Sequence, residues 1–256
     1  MASLQQRTPA WHAARRGKLT CSNLGALLGQ VSYTSRAQAY RRALGLERFQ
    51  GNDATQWGTD NEANGLMAYM ERTGNVVNAT GLHTHSSYNW LAGSPDGFIG
   101  DDGMVEIKCP YYAKRDGSSR VHKSVPGHYW IQINALLEIT NRKWCDYVCW
   151  CPEGMAIYRV NRDSITFDYL LQYYSVINAA ISMLSETAPS MSKLTVQQIG
   201  DRVQDAVNAT VDLDFWVAEV QSQPPDKEDS DTEIATGDDD ALPPAKRQCL
   251  PKKSAS

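Results

Sequence analysis

The chain has 256 residues, 42% of them hydrophobic and 21% charged, with six cysteines and a formal net charge of −4. That composition excludes a collagen-like or wholly disordered protein, and six cysteines in this length are too sparse for a disulfide scaffold. No apolar run reaches the roughly 18 residues needed to span a bilayer, and Met1 to Lys18 lacks the apolar block of a signal peptide, so the expectation is a soluble, intracellular protein with no membrane partner.

The charge is unevenly placed. From Ser222 onward there are eight acidic and five basic residues, which leaves 21 acidic and 20 basic in residues 1–221. A nearly neutral body does not announce a nucleic-acid partner through bulk charge, so such a partner must be argued from local groups. Residues 222–256 replace apolar side chains with Pro, Asp, Glu, Ser and Lys, and read as a disordered tail. Within it Pro243-Pro244-Ala245-Lys246-Arg247 and Pro251-Lys252-Lys253 read either as a nuclear import signal, placing the protein in a host nucleus, or as a solvating charged tail.

In chain order, Ser22 to Leu44 reads as a helix with Ser22 as N-cap and Leu24, Leu27 and Leu28 on its apolar face. Gln56 to Arg72 reads as a second helix, with Ala63, Leu66, Met67 and Met70 at helical spacing and Gly74 just past its end. Extended runs follow at Val76-Val77, Leu82 to Thr84, Trp90 to Ile99 and Met104 to Lys108, as in a strand meander, with Gly100-Asp101-Asp102-Gly103 as a hairpin turn. Gly127 to Ile139 returns to helical period, with Pro126 at its start. Trp144 to Cys151 and Met155 to Val160 form a hairpin around Pro152-Glu153-Gly154. Ser164 to Leu184 is an amphipathic helix through Phe167, Leu170, Leu171, Tyr174, Ile177, Ile181 and Leu184, and Val196 to Val220 is a weaker helical stretch. The order implies an α/β fold with a central mixed sheet flanked by helices, in one domain over residues 1–221 with a helical extension from about residue 186.

Chemistry concentrates in Gly93-Ser94-Pro95-Asp96-Gly97 and Glu106-Ile107-Lys108-Cys109-Pro110. On a strand Glu106 and Lys108 share one face while Ile107 points away, and a turn at 100–103 would bring Asp96 alongside. Two carboxylates without a competing arginine form an oxygen site for a hard cation, Mg²⁺ or Mn²⁺. Such a cation activates water and offsets charge on a phosphorane-like transition state, and a neighbouring lysine orients the water. The plain alternative is a surface hairpin with a solvated Glu106–Lys108 pair.

These blocks resemble the PD-(D/E)xK nucleases, and within them the phage lambda exonuclease-like, YqaJ-type viral recombinase nucleases. The resemblance runs from Trp11 to about Leu184 and implies a restriction-endonuclease-like core. Trp11, Arg15, Gly17, Thr20 and Ser22 match the N-terminal motif, which implies that Arg15 and Ser22, together with Ser94, hold a 5′-terminal phosphate. A guanidinium fork and hydroxyls suit that anion; alone, Arg15 would read as a solvated charge and Ser22 as a cap. Gly58-Thr59-Asp60-Asn61-Glu62 implies that Glu62 joins Asp96, Glu106 and the backbone carbonyl of Ile107 around one or two Mg²⁺ ions. Tyr129 and Gln132 match a Tyr-x-x-Gln motif in which Gln132 helps hold the catalytic Lys108 or the substrate phosphate, while Asn134 stands where a second Gln is common. The hairpin and the helix after it match the closing elements, which carry packing.

Lys114, Arg115, Arg120 and Lys123, in the Gly- and Ser-rich stretch after the active-site strand, are candidate phosphate contacts along a DNA path; Arg16, Lys18, Arg41 and Arg42 are weaker ones, and each is equally a solvated surface charge. Cys145, Cys149 and Cys151 fit no common zinc or iron–sulfur spacing, and His83 and His85 read as structural. The resemblance implies a Mg²⁺-dependent 5′-to-3′ exonuclease on double-stranded DNA ends, leaving 3′ single strands for recombination. It also implies a ring-shaped homotrimer and a single-strand annealing protein as partner. The rivals are an endonuclease or mixed-activity alkaline nuclease on the same fold, and a non-catalytic DNA-binding protein.

Overall fold

Gly103–Lys108 forms a strand because Met104, Glu106 and Lys108 alternate with Val105 and Ile107, and both faces of the strand are covered. In the computed structural model, which describes residues 4–43, 47, 51–111, 120–182 and 211–217, this strand, β6, lies inside a six-stranded sheet. Its neighbours in order are β2 (Val77–Asn78), β5 (Gly97–Ile99), β6, β7 (Trp144–Cys151), β8 (Gly154–Asn161) and β9 (Val211–Val217). Only β6 and β7 run parallel, so the sheet is mixed, as expected. A second sheet holds β1 (Leu19–Thr20), β4 (Leu91–Gly93) and β3 (His83–Thr84), with β1 parallel to β4.

Helices cover both faces of the large sheet. Val105, Ile107, Val148 and Ile157 pack with Tyr69 of α4 (Asp53–Thr73) on one side. Met104, Cys145, Tyr147, Cys149 and Tyr158 pack on the other against α5 (Gly127–Thr140), α6 (Ser164–Ser182) and α2 (Cys21–Leu27). Helix α5 is buried along Tyr129 to Leu137, apolar almost all round because it lies between the sheet and α2. At Gly65 of α4 an added Cβ would stand 2.8 Å from Ile107 Cγ2, so the missing side chain lets the helix approach β6 closely. Among the described residues no helix is long and apolar enough to cross a membrane.

Several expectations are corrected. The helix expected over Ser22–Leu44 is two, α2 and α3 (Arg36–Ala43). Gly29, at φ +75°, ends the first, and Ser35 Oγ accepts from Gln38 N to start the second. Thr20, not Ser22, occupies the cap position of α2. A further helix, α1 (Pro9–Arg15), begins behind Thr8, whose hydroxyl accepts from Trp11 N. The run Trp90–Ile99 is not one strand: it breaks at Ser94-Pro95-Asp96 and passes from the small sheet to the large one, since Pro95 has no N–H to give a ladder. Val211–Val217 is a strand rather than helix: apolar Val211, Leu213, Phe215 and Val217 alternate in the sequence, and the strand pairs antiparallel with β8, with one register irregularity between Ile157 and Tyr158. The rest of the Val196–Val220 stretch and residues 222–256 lie outside the described residues.

Candidate active site

The β5–β6 pairing sets Gly97 opposite Val105; continued by one residue, the same register puts Asp96 opposite Glu106. The turn between them uses Gly100 at φ +52°, a conformation glycine adopts without a side-chain clash. Asp96 Oδ2 accepts from the Ile107 N–H at 2.6 Å. A strand residue's N–H and C=O point to the same side, so the Ile107 carbonyl faces the Asp96 side too.

Glu106 is only 3% exposed. Its Oε1 accepts from Gln132 Nε2 at 2.6 Å and stands 3.3 Å from Lys108 Nζ. The Lys108 ammonium lies 4.6 Å from the centre of the Tyr129 ring. Burial, then the charges of Glu106 and Glu62, push the Asp96 carboxyl well above the usual carboxylate range, against the smaller opposing pull of the Ile107 N–H and Lys108. Glu62 reaches this region from α4, and its Oε2 is 2.5 Å from Arg7 Nη2.

Crowded carboxylates that resist joint ionisation form a site a cation would relieve. Among the described residues no three His, Cys, Asp or Glu side chains make a ready-formed cage. The donors present nevertheless fit Mg²⁺, which takes one or two carboxylates and completes its shell with waters and substrate phosphate. Asp96, Glu106 and the Ile107 carbonyl are the groups that could hold it, with Glu62 able to join through water.

Beside this cluster lies a pocket lined by Arg15, Thr20, Cys21, Ser22, Gly93, Ser94, Gln132 and Leu136, with about 230 Å³ of empty space including its mouth. A guanidinium and hydroxyl groups on one wall of that space are donors suited to a phosphate oxygen. Trp11 organises the charged and hydroxyl side of the pocket. Its Nε1 donates to Ser94 Oγ at 2.9 Å, and the Arg15 guanidinium stacks 4.0 Å from its ring centre. Accepting from the indole leaves the Ser94 O–H to donate toward an anion. Gly93 is required by crowding, since a Cβ there would sit 2.6 Å from Cys21 Sγ. Gln132 belongs to both places: it lines the pocket and holds Glu106.

The structure therefore brings together Arg15, Ser22, Ser94 and Gln132 in one pocket and Asp96, Glu106, Ile107 and Lys108 in the adjoining cluster, with Glu62 at its edge. Arg120 is differently employed: it forms a bidentate pair with Glu153, Nη2 to Oε1 at 2.7 Å and Nε to Oε2 at 3.1 Å, and donates to the Tyr111 carbonyl. Lys123 is exposed, and Lys114 and Arg115 lie outside the described residues. Asn134 is a structural bracket that exchanges two hydrogen bonds with the Asp163 backbone. Cys145, Cys149 and Cys151 are buried free thiols, all pushed up by burial. Sequence reasoning missed Cys21 and Leu136 as pocket walls, Arg7 as the partner of Glu62, and the task of Trp11. For the last, the i, i+4 spacing of Trp11 and Arg15 was the available signal.

Residues 10–143 match the YqaJ-like viral recombinase domain, a span that contains every group of the cluster and the pocket. An uncharacterized protein of Acanthamoeba polyphaga mimivirus is 24% identical over 157 residues, 56% of this chain and 29% of that protein, so the chain spans less than a third of that relative. The crystal structure of LHK-Exo, an alkaline exonuclease from Laribacter hongkongensis, is similar at 25% identity with a TM-score of 0.55, covering 77% of this chain and 99% of that one. Its complex with dAMP gives a TM-score of 0.53. A phage-related exonuclease from Haemophilus somnus shares the fold at 16% identity and a TM-score of 0.51, over 65% of this chain and 94% of that one. The mixed sheet with helices on both faces is thus the restriction-endonuclease-like fold, and the chain belongs to the family of YqaJ-like viral recombinase domains.

Proposed function

We propose that the protein is a divalent-metal-dependent exonuclease that enters double-stranded DNA at an end and degrades one strand 5′ to 3′, leaving a 3′ single strand for recombination. The observation that carries this reading is Gln132, which lines the pocket of Arg15, Ser22 and Ser94 while its amide donates to the buried Glu106 of the acid–lysine cluster. A terminal phosphate held in the first would put its neighbouring phosphodiester at the second. The alkaline exonuclease activity of LHK-Exo, and the dAMP bound to that enzyme, support the same direction.

In this reading Arg15, Ser22 and Ser94 grip the terminal 5′-phosphate, with the guanidinium supplying charge and the hydroxyls direction. Asp96, Glu106 and the Ile107 carbonyl, assisted by Glu62, hold Mg²⁺ or Mn²⁺. When bound, that ion supplies a water of lowered pKa and offsets charge on the phosphorus. Lys108 orients the attacking water and adds positive charge at the phosphate, and Gln132 keeps Glu106 in place. Water oxygen bonds to phosphorus and the P–O3′ bond breaks. The released nucleotide keeps its 5′-phosphate and gains a 3′-hydroxyl, and the remaining strand begins with a new 5′-phosphate.

Digestion of linear duplexes with and without a 5′-phosphate, beside sealed circular DNA, tests the proposal. Mg²⁺-dependent release from linear ends that is faster with the 5′-phosphate, absent on sealed circles and abolished in Lys108→Ala is expected. Prompt cutting of circles would replace the exonuclease with an endonuclease, and no Mg²⁺-dependent release at all would leave a non-catalytic DNA-binding protein.

A further inference from the structure

Lysine carries a compact charge on a flexible four-carbon stem, so an alternation pattern alone does not say where the Lys108 ammonium rests. Here it sits over the face of Tyr129, 4.6 Å from the ring centre, and 3.3 Å from Glu106 Oε1. The ring is 2% exposed and lies in the first turn of α5, three residues before Gln132. Other rings hold it in turn: His128 packs at 4.1 Å, Tyr147 at 5.7 Å and His122 at 6.0 Å between centres. His122 lies nearly parallel to Tyr147, at 7°, and its Nδ1 is 2.5 Å from the Tyr147 hydroxyl. Its backbone is tied to the sheet as well, the N–H to Cys149 Sγ at 3.2 Å and the carbonyl to the Tyr158 hydroxyl at 3.0 Å. In register, Tyr147 and Cys149 stand beside Glu106 and Lys108, so this aromatic group shares the lysine's side of the sheet.

We propose that the face of Tyr129 is the seat of the hydrolytic lysine, and that His122, clamped by Tyr147, keeps that seat aligned; both are positioning residues. An aromatic face attracts an ammonium through its quadrupole, and in a desolvated site this attraction is strengthened. The ring steers the charge toward Glu106, where the reacting phosphate would lie. Against a flat aliphatic wall of equal size the same stem would sample several rotamers, and turnover would fall while DNA binding stayed the same.

This inference rests on the nuclease reading above, so the experiment begins with Lys108→Ala in the full chain. Phenylalanine bearing zero, one, two or three ring fluorines is then placed at position 129 by non-canonical incorporation. Fluorine drains the ring quadrupole with little change of shape, and comparison with Tyr129→Phe removes the phenol hydroxyl from the series. A stepwise fall in kcat totalling on the order of ten-fold, with KM and melting temperature held, is expected. His122→Ala should lower kcat several-fold at constant KM, and His122→Phe, which keeps a ring in the stack, should recover most of it. If Lys108→Ala is inactive while kcat is flat across the fluorinated series, the seat is refuted. If Lys108→Ala is fully active, the nuclease reading of this cluster falls first.

Discussion

Replacing Asp96 with asparagine removes one of the crowded charges while leaving an oxygen to accept the Ile107 N–H. In the wild type the Asp96 carboxyl is pushed up by burial and by Glu106 and Glu62, so the folded protein holds that proton more tightly than the unfolded chain does. Folding therefore loses stability as pH rises from the ordinary aspartate value of about 3.9 to the raised one, at no more than about 1.4 kcal/mol per pH unit for a single proton. At roughly 2–4 °C per kcal/mol for a domain of this size, each pH unit in that window lowers the melting temperature by at most about 3–6 °C. Asparagine has no such window. Metal-free Asp96→Asn should thus melt at or above the wild type at alkaline pH, and the gap should narrow as pH falls toward 4. Mg²⁺ at about a hundred times its dissociation constant should add roughly 2.7 kcal/mol to the wild type and little to the variant. Melting curves between pH 4 and pH 9 in EDTA and in MgCl₂, read with nuclease activity, check all of this. A wild type that outmelts the variant in EDTA at pH 9 would show that Asp96 is not frustrated, and an equal Mg²⁺ effect on both would show that it is not a metal ligand.

Two further outcomes concern the pocket. Trp11→Phe keeps a ring under Arg15 but loses the 2.9 Å bond to Ser94, about 1 kcal/mol of positioning, so the preference for 5′-phosphorylated over 5′-hydroxyl duplex ends should fall about five-fold; rates on the two substrates measure it. Gly93→Ala places a methyl 2.5 Å from Leu136 Cδ2 and 2.6 Å from Cys21 Sγ, and should cost about 1–3 kcal/mol in urea unfolding and raise KM as the pocket wall is pushed inward.

Much of this was legible in the sequence where a residue's surroundings repeat locally. The alternation of Glu106, Ile107 and Lys108 fixed which side chains share a face, and the helical period of α4 and α5 brought Glu62 and Gln132 onto the elements that flank β6. What escaped was decided by distant partners. Val211–Val217 pairs with β8, a neighbour more than fifty residues earlier, and its short period-two alternation is submerged in the longer helical reading of 196–220. The Trp11–Ser94 bond joins residues 83 apart. The break at Ser94-Pro95-Asp96 looks like an irregularity inside one strand until the two sheets are seen to take one half each.

That break has a consequence for the product. Ser94 lines the pocket proposed to hold the terminal phosphate and Asp96 belongs to the acid cluster, yet only Pro95 stands between them, and a two-residue step spans at most about 7 Å of backbone. Gln132 ties the same two places from the other side, lining the pocket while its amide donates to Glu106. Under the proposed function, a phosphate gripped by Ser94 and a phosphodiester presented to Asp96 are then neighbours on one strand, since adjacent phosphates match so short a spacing. Each turnover should release a single nucleotide. A duplex labelled at its 5′-phosphate, sampled before one per cent of ends are consumed, should give label only as mononucleotide. Dinucleotides or longer fragments as the first labelled product would mean that the pocket holds something other than the terminal phosphate.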